Sequence, residues 1–142
     1  MKINAKMHYG MKTMIELALY AGEKGMHQKD IAENQCMPNR FMDSIIHDLK
    51  VAGLVVNVSG KKSGYRLSRD SAIITAYDIY RAFSPELYVH FCLAAKDICP
   101  RSEYCASHCF FYELNSYLES YLKSVTLDQL VNKQKELPVY IK

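Results

Sequence analysis

The chain has 142 residues, of which 49% are hydrophobic and 23% charged, and its formal net charge is +3. That length suits one modest core, or a small head with a helical extension. No apolar run approaches the roughly 18 residues of a membrane-spanning helix, and residues 1–8 are too polar for a secretory signal.

The charge is unevenly spread. Residues 1–70 carry 11 Lys+Arg against 7 Asp+Glu, whereas residues 71–142 carry 7 against 8. A basic front half suits a polyanionic partner. Five cysteines, an odd number in a chain without an export signal, point to reduced thiols in a cytoplasmic protein, acting as ligands or redox groups.

Residues 9–21 place Met11, Met14, Ile15, Leu17 and Leu19 on one broad apolar face, with Lys12 and Glu16 between them. This predicts a helix ending near Gly22 and Gly25. A short second helix is predicted over about residues 27–34, with Ile31 and Ala32 inward. A third opens at Pro38 or Asn39 and runs to about Ala52. Its core side is Phe41, Met42, Ile45, Ile46 and Leu49; its outer side is Asn39, Arg40, Asp43, Ser44 and His47. Short helix, tight turn and longer helix with a polar face are the pattern of a helix-turn-helix. Cys36, in the turn, is expected to be packed.

The β-branched run 54–58 predicts a strand, 59–64 a turn bearing Lys61 and Lys62, and 65–67 the returning strand. A basic hairpin after a helix-turn-helix reads as a wing. The expected DNA contacts are therefore Arg40, Asp43 and Ser44 at base edges, helped by Asn39, His47 and Lys29. Lys61, Lys62 and Arg66 are expected at phosphates or the minor groove.

A fourth helix is predicted over residues 75–83. After residue 109, an apolar stripe of Phe110, Leu114, Tyr117, Leu118, Tyr121, Leu122 and Val125 predicts a long helix that needs a partner helix. Thr126 is expected to cap a last helix over 127–132. The fold class is thus mainly α with a small β-hairpin: a winged helix-turn-helix head plus a long dimerisation helix. The expected segments are 1–90 for the DNA-binding region, 91–109 for a cysteine loop, 107–132 for the dimerisation and closing helices, and 133–142 for the tail.

The loop FCLAAKDICPRSEYCASHC, residues 91–109, holds Cys92, Cys99, Cys105, Cys109 and His108. Thiolates with an imidazole suit a soft metal centre: iron–sulfur, zinc or copper(I). Cys105 and His108 are three residues apart and project from one face of the long helix. Cys109 is expected to be a buried small side chain, a spare ligand or a resolving thiol. Three other readings stay open: a Cys3His zinc site, a thiol enzyme using Cys105 or Cys109 with His108 as base, and an adaptor that has lost DNA binding.

The chain resembles the IscR/NsrR group of winged-helix transcription regulators, the Rrf-two family, along essentially its full length. The resemblance is carried by MKINAKMHYGMKTMIELALYA, by PNRFMDSIIHDLKVAGLV, by the wing SGKKSGYRL and by the closing SVTLDQLV. It implies a homodimer on a near-palindromic operator in double-stranded DNA, with an iron–sulfur cluster, 2Fe–2S favoured over 4Fe–4S, on Cys92, Cys99 and Cys105. It implies a fourth ligand at His108, as in one branch, or at the position of His8, where another branch has an acidic residue from the partner chain. Six residues separate Cys92 from Cys99, where the family usually has five.

Overall fold

The computed structural model describes residues 3–59 and 64–140. Its first helix, α1 (Ala5–Tyr20), packs against the second, third, fourth and last helices and against the hairpin. It begins earlier than the apolar period predicts, because the Asn4 side chain accepts from the Met7 backbone N–H and caps it. Met14 and Leu17 enter the main core, each such burial contributing about 1.5–3 kcal/mol. Glu16 is also only 2% exposed. Its carboxylate accepts from Asn34 Nδ2 at 2.6 Å and Gln35 Nε2 at 2.5 Å, so the buried charge fastens the end of the next helix to α1.

That helix, α2 (Gln28–Asn34), and α3 (Asn39–Val51) form the expected helix-turn-helix. The turn is a Schellman closure: Met37 N–H donates to Ala32 O and Cys36 N–H to Glu33 O. This places Cys36 in the left-handed conformation, φ 51°. The expectation that Cys36 is packed is corrected, since it is exposed while Met37 turns into the core. A residue at this cap position points away from the helix it ends.

Strand β1 (Val55–Asn57) pairs antiparallel with β2 (Tyr65–Leu67), Val56 opposite Arg66. Met26 and Tyr65 exchange two backbone hydrogen bonds of 2.8 Å, tying the hairpin root to the head. Gly64 permits this approach, because a Cβ there would stand 2.6 Å from Met26 N. The wing-tip residues Lys61 and Lys62 lie outside the described residues.

Helix α4 (Ala76–Phe83) starts with a capping box between Thr75 and Asp78. Residues 84–105 then leave the head with no buried residue, passing through 3-10 turns at Phe91–Leu93 and Ser102–Tyr104. Helix α5 (Ala106–Ser124) lies against α4, where Leu122 joins Met7, Ala76 and Tyr80 in a small second core. The last helix, α6 (Leu127–Glu136), has the expected Thr126 cap, completed by Gln129, and continues past the predicted end at Asn132. Its Leu127 and Val131 are buried in the main core. Leu127 N–H donates to Ile74 O at 2.7 Å and Ala76 N–H to Val125 O at 2.8 Å. The chain therefore returns to its head after α5. The architecture is mostly helical with one small two-stranded sheet, as expected.

Candidate nucleic-acid interface and cysteine site

The outer face of α3 presents Asn39, Arg40, Asp43 and His47 to solvent, with Ser44 half-buried at its edge. The Arg40 guanidinium lies 4.9 Å from the Phe41 ring centroid, and Phe41 stacks at 5.7 Å on Tyr9 of α1. The stack restrains the long side chain near the base of the helix face. Asp43 Oδ1 accepts from Gln28 Nε2 of α2 at 2.8 Å. Gln28 is a contact the sequence reading missed, because periodicity along one helix does not report its neighbours. Lys29 makes a 3.9 Å ion pair with Glu33 between highly exposed side chains. A pair so exposed is worth at most about 0.5 kcal/mol and yields readily to a phosphate. Arg66 is exposed on β2. These positions put the groups expected at base edges and those expected at phosphates on adjoining elements.

All five cysteines are free thiols, and Cys92, Cys99 and Cys105 are half-buried. Cys92 sits in the first 3-10 turn, Cys99 between the two turns, and Cys105 at the N-cap of α5, with His108 in that helix's first turn. Among the described residues no three of His, Cys, Asp and Glu stand close enough together to hold a metal ion. The sequence-predicted ligands thus share one loop and helix start, but not one coordination sphere. Their chemistry does fit a soft metal. Three thiols accompany an imidazole whose Nδ1 is buried without a hydrogen-bond partner, a defect that costs about 1–3 kcal/mol unless a donor, acceptor or metal relieves it. His8 is exposed on α1 with its ring tilted against Tyr9, 5.5 Å between centroids. Cys109 is exposed, which corrects the reading of it as a buried small side chain; it lies on the solvent side of α5's first turn.

The sequence reading also missed His90. Its Nδ1 is 3.2 Å from Cys92 Sγ, and its ring stacks on Phe111 at 4.8 Å and 12°. The two-residue step to Cys92 was the available signal.

The apolar stripe of α5 divides between two surroundings. Leu122 is buried against α4, while Phe110, Leu114, Tyr117 and Tyr121 are 37–74% exposed. Among the described residues no helix is long and apolar enough to cross a membrane.

The sequence profile of Rrf2, described as an iron-dependent transcriptional regulator, matches residues 3–133. The chain is 28% identical over 139 residues to the HTH-type transcriptional regulator IscR of Xenorhabdus nematophila, covering 98% of this chain and 84% of that protein. It is 27% identical, with the same coverage, to IscR of Photorhabdus laumondii. Among solved structures, T. potens IscR superposes with a TM-score of 0.77 at 27% identity, covering all of this chain and 94% of that one. CymR, the global cysteine regulator of B. subtilis, superposes at 0.76 and 27%, covering 94% and 98%. These relatives are transcriptional regulators and not enzymes, which removes the thiol-enzyme reading. From residue 3 to residue 133, the chain belongs to the Rrf2 family of transcriptional regulators.

Proposed function

We propose that this regulator binds a near-palindromic operator as a homodimer and that an iron–sulfur cluster in the 91–109 loop modulates the binding. Cys92, Cys99 and Cys105 would be its thiolate ligands and His108 the fourth, with 2Fe–2S favoured over 4Fe–4S. The observation that carries this reading is the buried, partnerless Nδ1 of His108, one helical turn from Cys105 and on the helix start that ends the loop carrying the free thiols Cys92 and Cys99. His108 is preferred to His8 because a ligand from the same loop closes at lower entropy than one recruited across a dimer. Such a cluster, when bound, supplies a centre that oxidants, nitric oxide or iron shortage can remove.

The chain's own residues do the remainder. The segment 84–105 joins α4 of the head to α5, so ordering that loop biases where α5 sits against α4. The exposed Phe110, Leu114, Tyr117 and Tyr121 offer a partner α5 an apolar stripe. The position of α5 would then set the spacing of two α3 helices on half-sites about one helical turn apart. Binding shifts only by the cluster's differential affinity for the two arrangements.

A second reading, a regulator of this fold that works through its thiols alone, is favoured by the ungathered donors and by the likeness to the cysteine regulator CymR. Anaerobic purification with iron and sulfide assays and an absorption spectrum separates the two. Coloured protein with stoichiometric iron, whose operator affinity at fixed salt differs from that of the apo-protein, supports the cluster switch. Colourless, iron-free protein rejects it. A His108→Ala variant with an unchanged spectrum rejects His108 as ligand.

A further inference from the structure

Three cysteines in a mostly unburied loop raise a problem of placement, because each must be brought to one point. Two features of α5 address it at the loop's entry. Asn115 accepts from Val89 N–H through Oδ1 at 2.9 Å and donates from Nδ2 to Leu87 O at 3.1 Å. One turn earlier, Phe111 stacks on the His90 ring with centroids 4.8 Å apart and planes 12° from parallel. His90 in turn receives the Cys92 backbone N–H at Nδ1, 3.3 Å, capping the 3-10 turn, and the same nitrogen lies 3.2 Å from Cys92 Sγ.

We infer that His90 is a positioning residue of the cysteine centre: it holds the Cys92 sulfur by hydrogen bond while Phe111 fixes its ring to α5. The inference rests on the cluster reading above and assigns a role to a residue outside the ligand set. Cys92 is thereby referred to the helix that begins at Cys105 and carries His108. Cys99 has no such side-chain anchor among the described contacts, so it would be the least constrained of the three ligands. The His90–Cys92 contact spans two residues and travels with its turn when the loop rearranges. With Cys92 as a thiol, Sγ–H donates to Nδ1. With Cys92 as a thiolate, its proton goes to solvent and the Nδ1–H tautomer of the imidazole donates to sulfur, exchanging the bond that Nδ1 accepts from the Cys92 backbone N–H for one that it donates to Sγ. Hydrogen bonds to ligand sulfur raise a cluster's reduction potential, and partners of this kind typically contribute about 10–100-fold to metal affinity.

The test uses full-length protein loaded anaerobically, as wild type, His90→Ala, His90→Asn and His108→Ala. The readouts are far-UV circular dichroism, iron content, reduction potential and loss of iron to a chelator. His90→Ala is expected to keep its helices and bind iron, but about 10-fold or more less tightly, with a lower potential. His90→Asn, whose Nδ2–H stands near the place of Nδ1, is expected to recover most of both. Wild-type potential and iron retention in His90→Ala would overturn the inference while leaving the cluster reading intact. Loss of a nitrogen hyperfine coupling in His90→Ala, with that coupling kept in His108→Ala, would make His90 a ligand and overturn its positioning role. Unfolding of both His90 variants would assign the residue to the fold alone. Wild-type protein without iron would remove the cluster reading, and this inference with it.

Discussion

Gln28 of α2 donates its Nε2 to Asp43 Oδ1 of α3 across 2.8 Å, on the exposed side of the helix-turn-helix. A carboxylate held from the neighbouring helix has a fixed direction, which a base-edge contact requires. Free, it would sample several rotamers.

Removing that restraint affects selectivity more than stability. An exposed hydrogen bond of this kind contributes about 0.5–1.5 kcal/mol, so Gln28→Ala should unfold at nearly the wild-type urea concentration. Its preference among operators changed at the base pair facing Asp43 should weaken, each wrong base ordinarily costing about 1–3 kcal/mol. Competition binding at fixed salt reads this. An unaltered ranking of operators would mean that Asp43 reads no base.

Glu16 is the opposite case, a carboxylate 2% exposed with two amide donors aimed at it. Glu16→Ala leaves the Asn34 and Gln35 amides without their acceptor and should cost about 1–3 kcal/mol. Glu16→Gln, which keeps one carbonyl oxygen, should cost less. Urea unfolding of the three proteins orders them, and equal midpoints would show that water replaces the carboxylate freely.

Cys36 occupies a left-handed position at φ 51°. An ordinary side chain there costs roughly 1–2 kcal/mol, and glycine gives back about 0.4–1 kcal/mol through the greater freedom of the unfolded chain. Cys36→Gly should therefore be neutral or stabilising by up to about 1 kcal/mol. A clear fall in the unfolding midpoint would mean that the exposed thiol makes a stabilising contact in the folded protein.

The exposed stripe of α5 is the proposed pairing surface. Leu114→Glu combined with Tyr121→Glu should convert the dimer to monomer in sedimentation equilibrium, with helix content unchanged because both side chains face solvent in the single chain. A variant that sediments as wild type would place the pairing surface elsewhere.

Arg66 is exposed on the second strand of the wing. If it meets a phosphate, Arg66→Ala should weaken binding to all operators alike. It should also reduce the slope of log affinity against log salt by about 0.9 for each site contacted. A loss confined to one sequence would assign Arg66 to base reading.

Much of the plan was legible in the residues. Ile45, Ile46 and Leu49 at helical steps against Arg40, Asp43 and His47 gave α3 both its faces, and Thr126 announced the last helix. The chain's four late cysteines marked the loop in the same way. These features depend on neighbours within a few positions, and local geometry decides them.

What lay beyond reach was which surface each element meets. Periodicity identified an apolar stripe on α5 without dividing it between α4 and an open side. It gave a last helix over 127–132, yet not the burial of Leu127 and Val131 in the main core beside Met14 and Leu17. Glu16 read as a polar gap in a helix, and only the approach of Asn34 and Gln35 allows that carboxylate to be buried. His90 was unremarkable in sequence until Phe111, twenty-one residues later, lay parallel to its ring. Sequence determines conformation over the span of a turn or two, because backbone sterics and capping act at that range. Which distant side chains satisfy one another is decided when the elements pack, since burial and hydrogen bonding depend on what occupies the space between them.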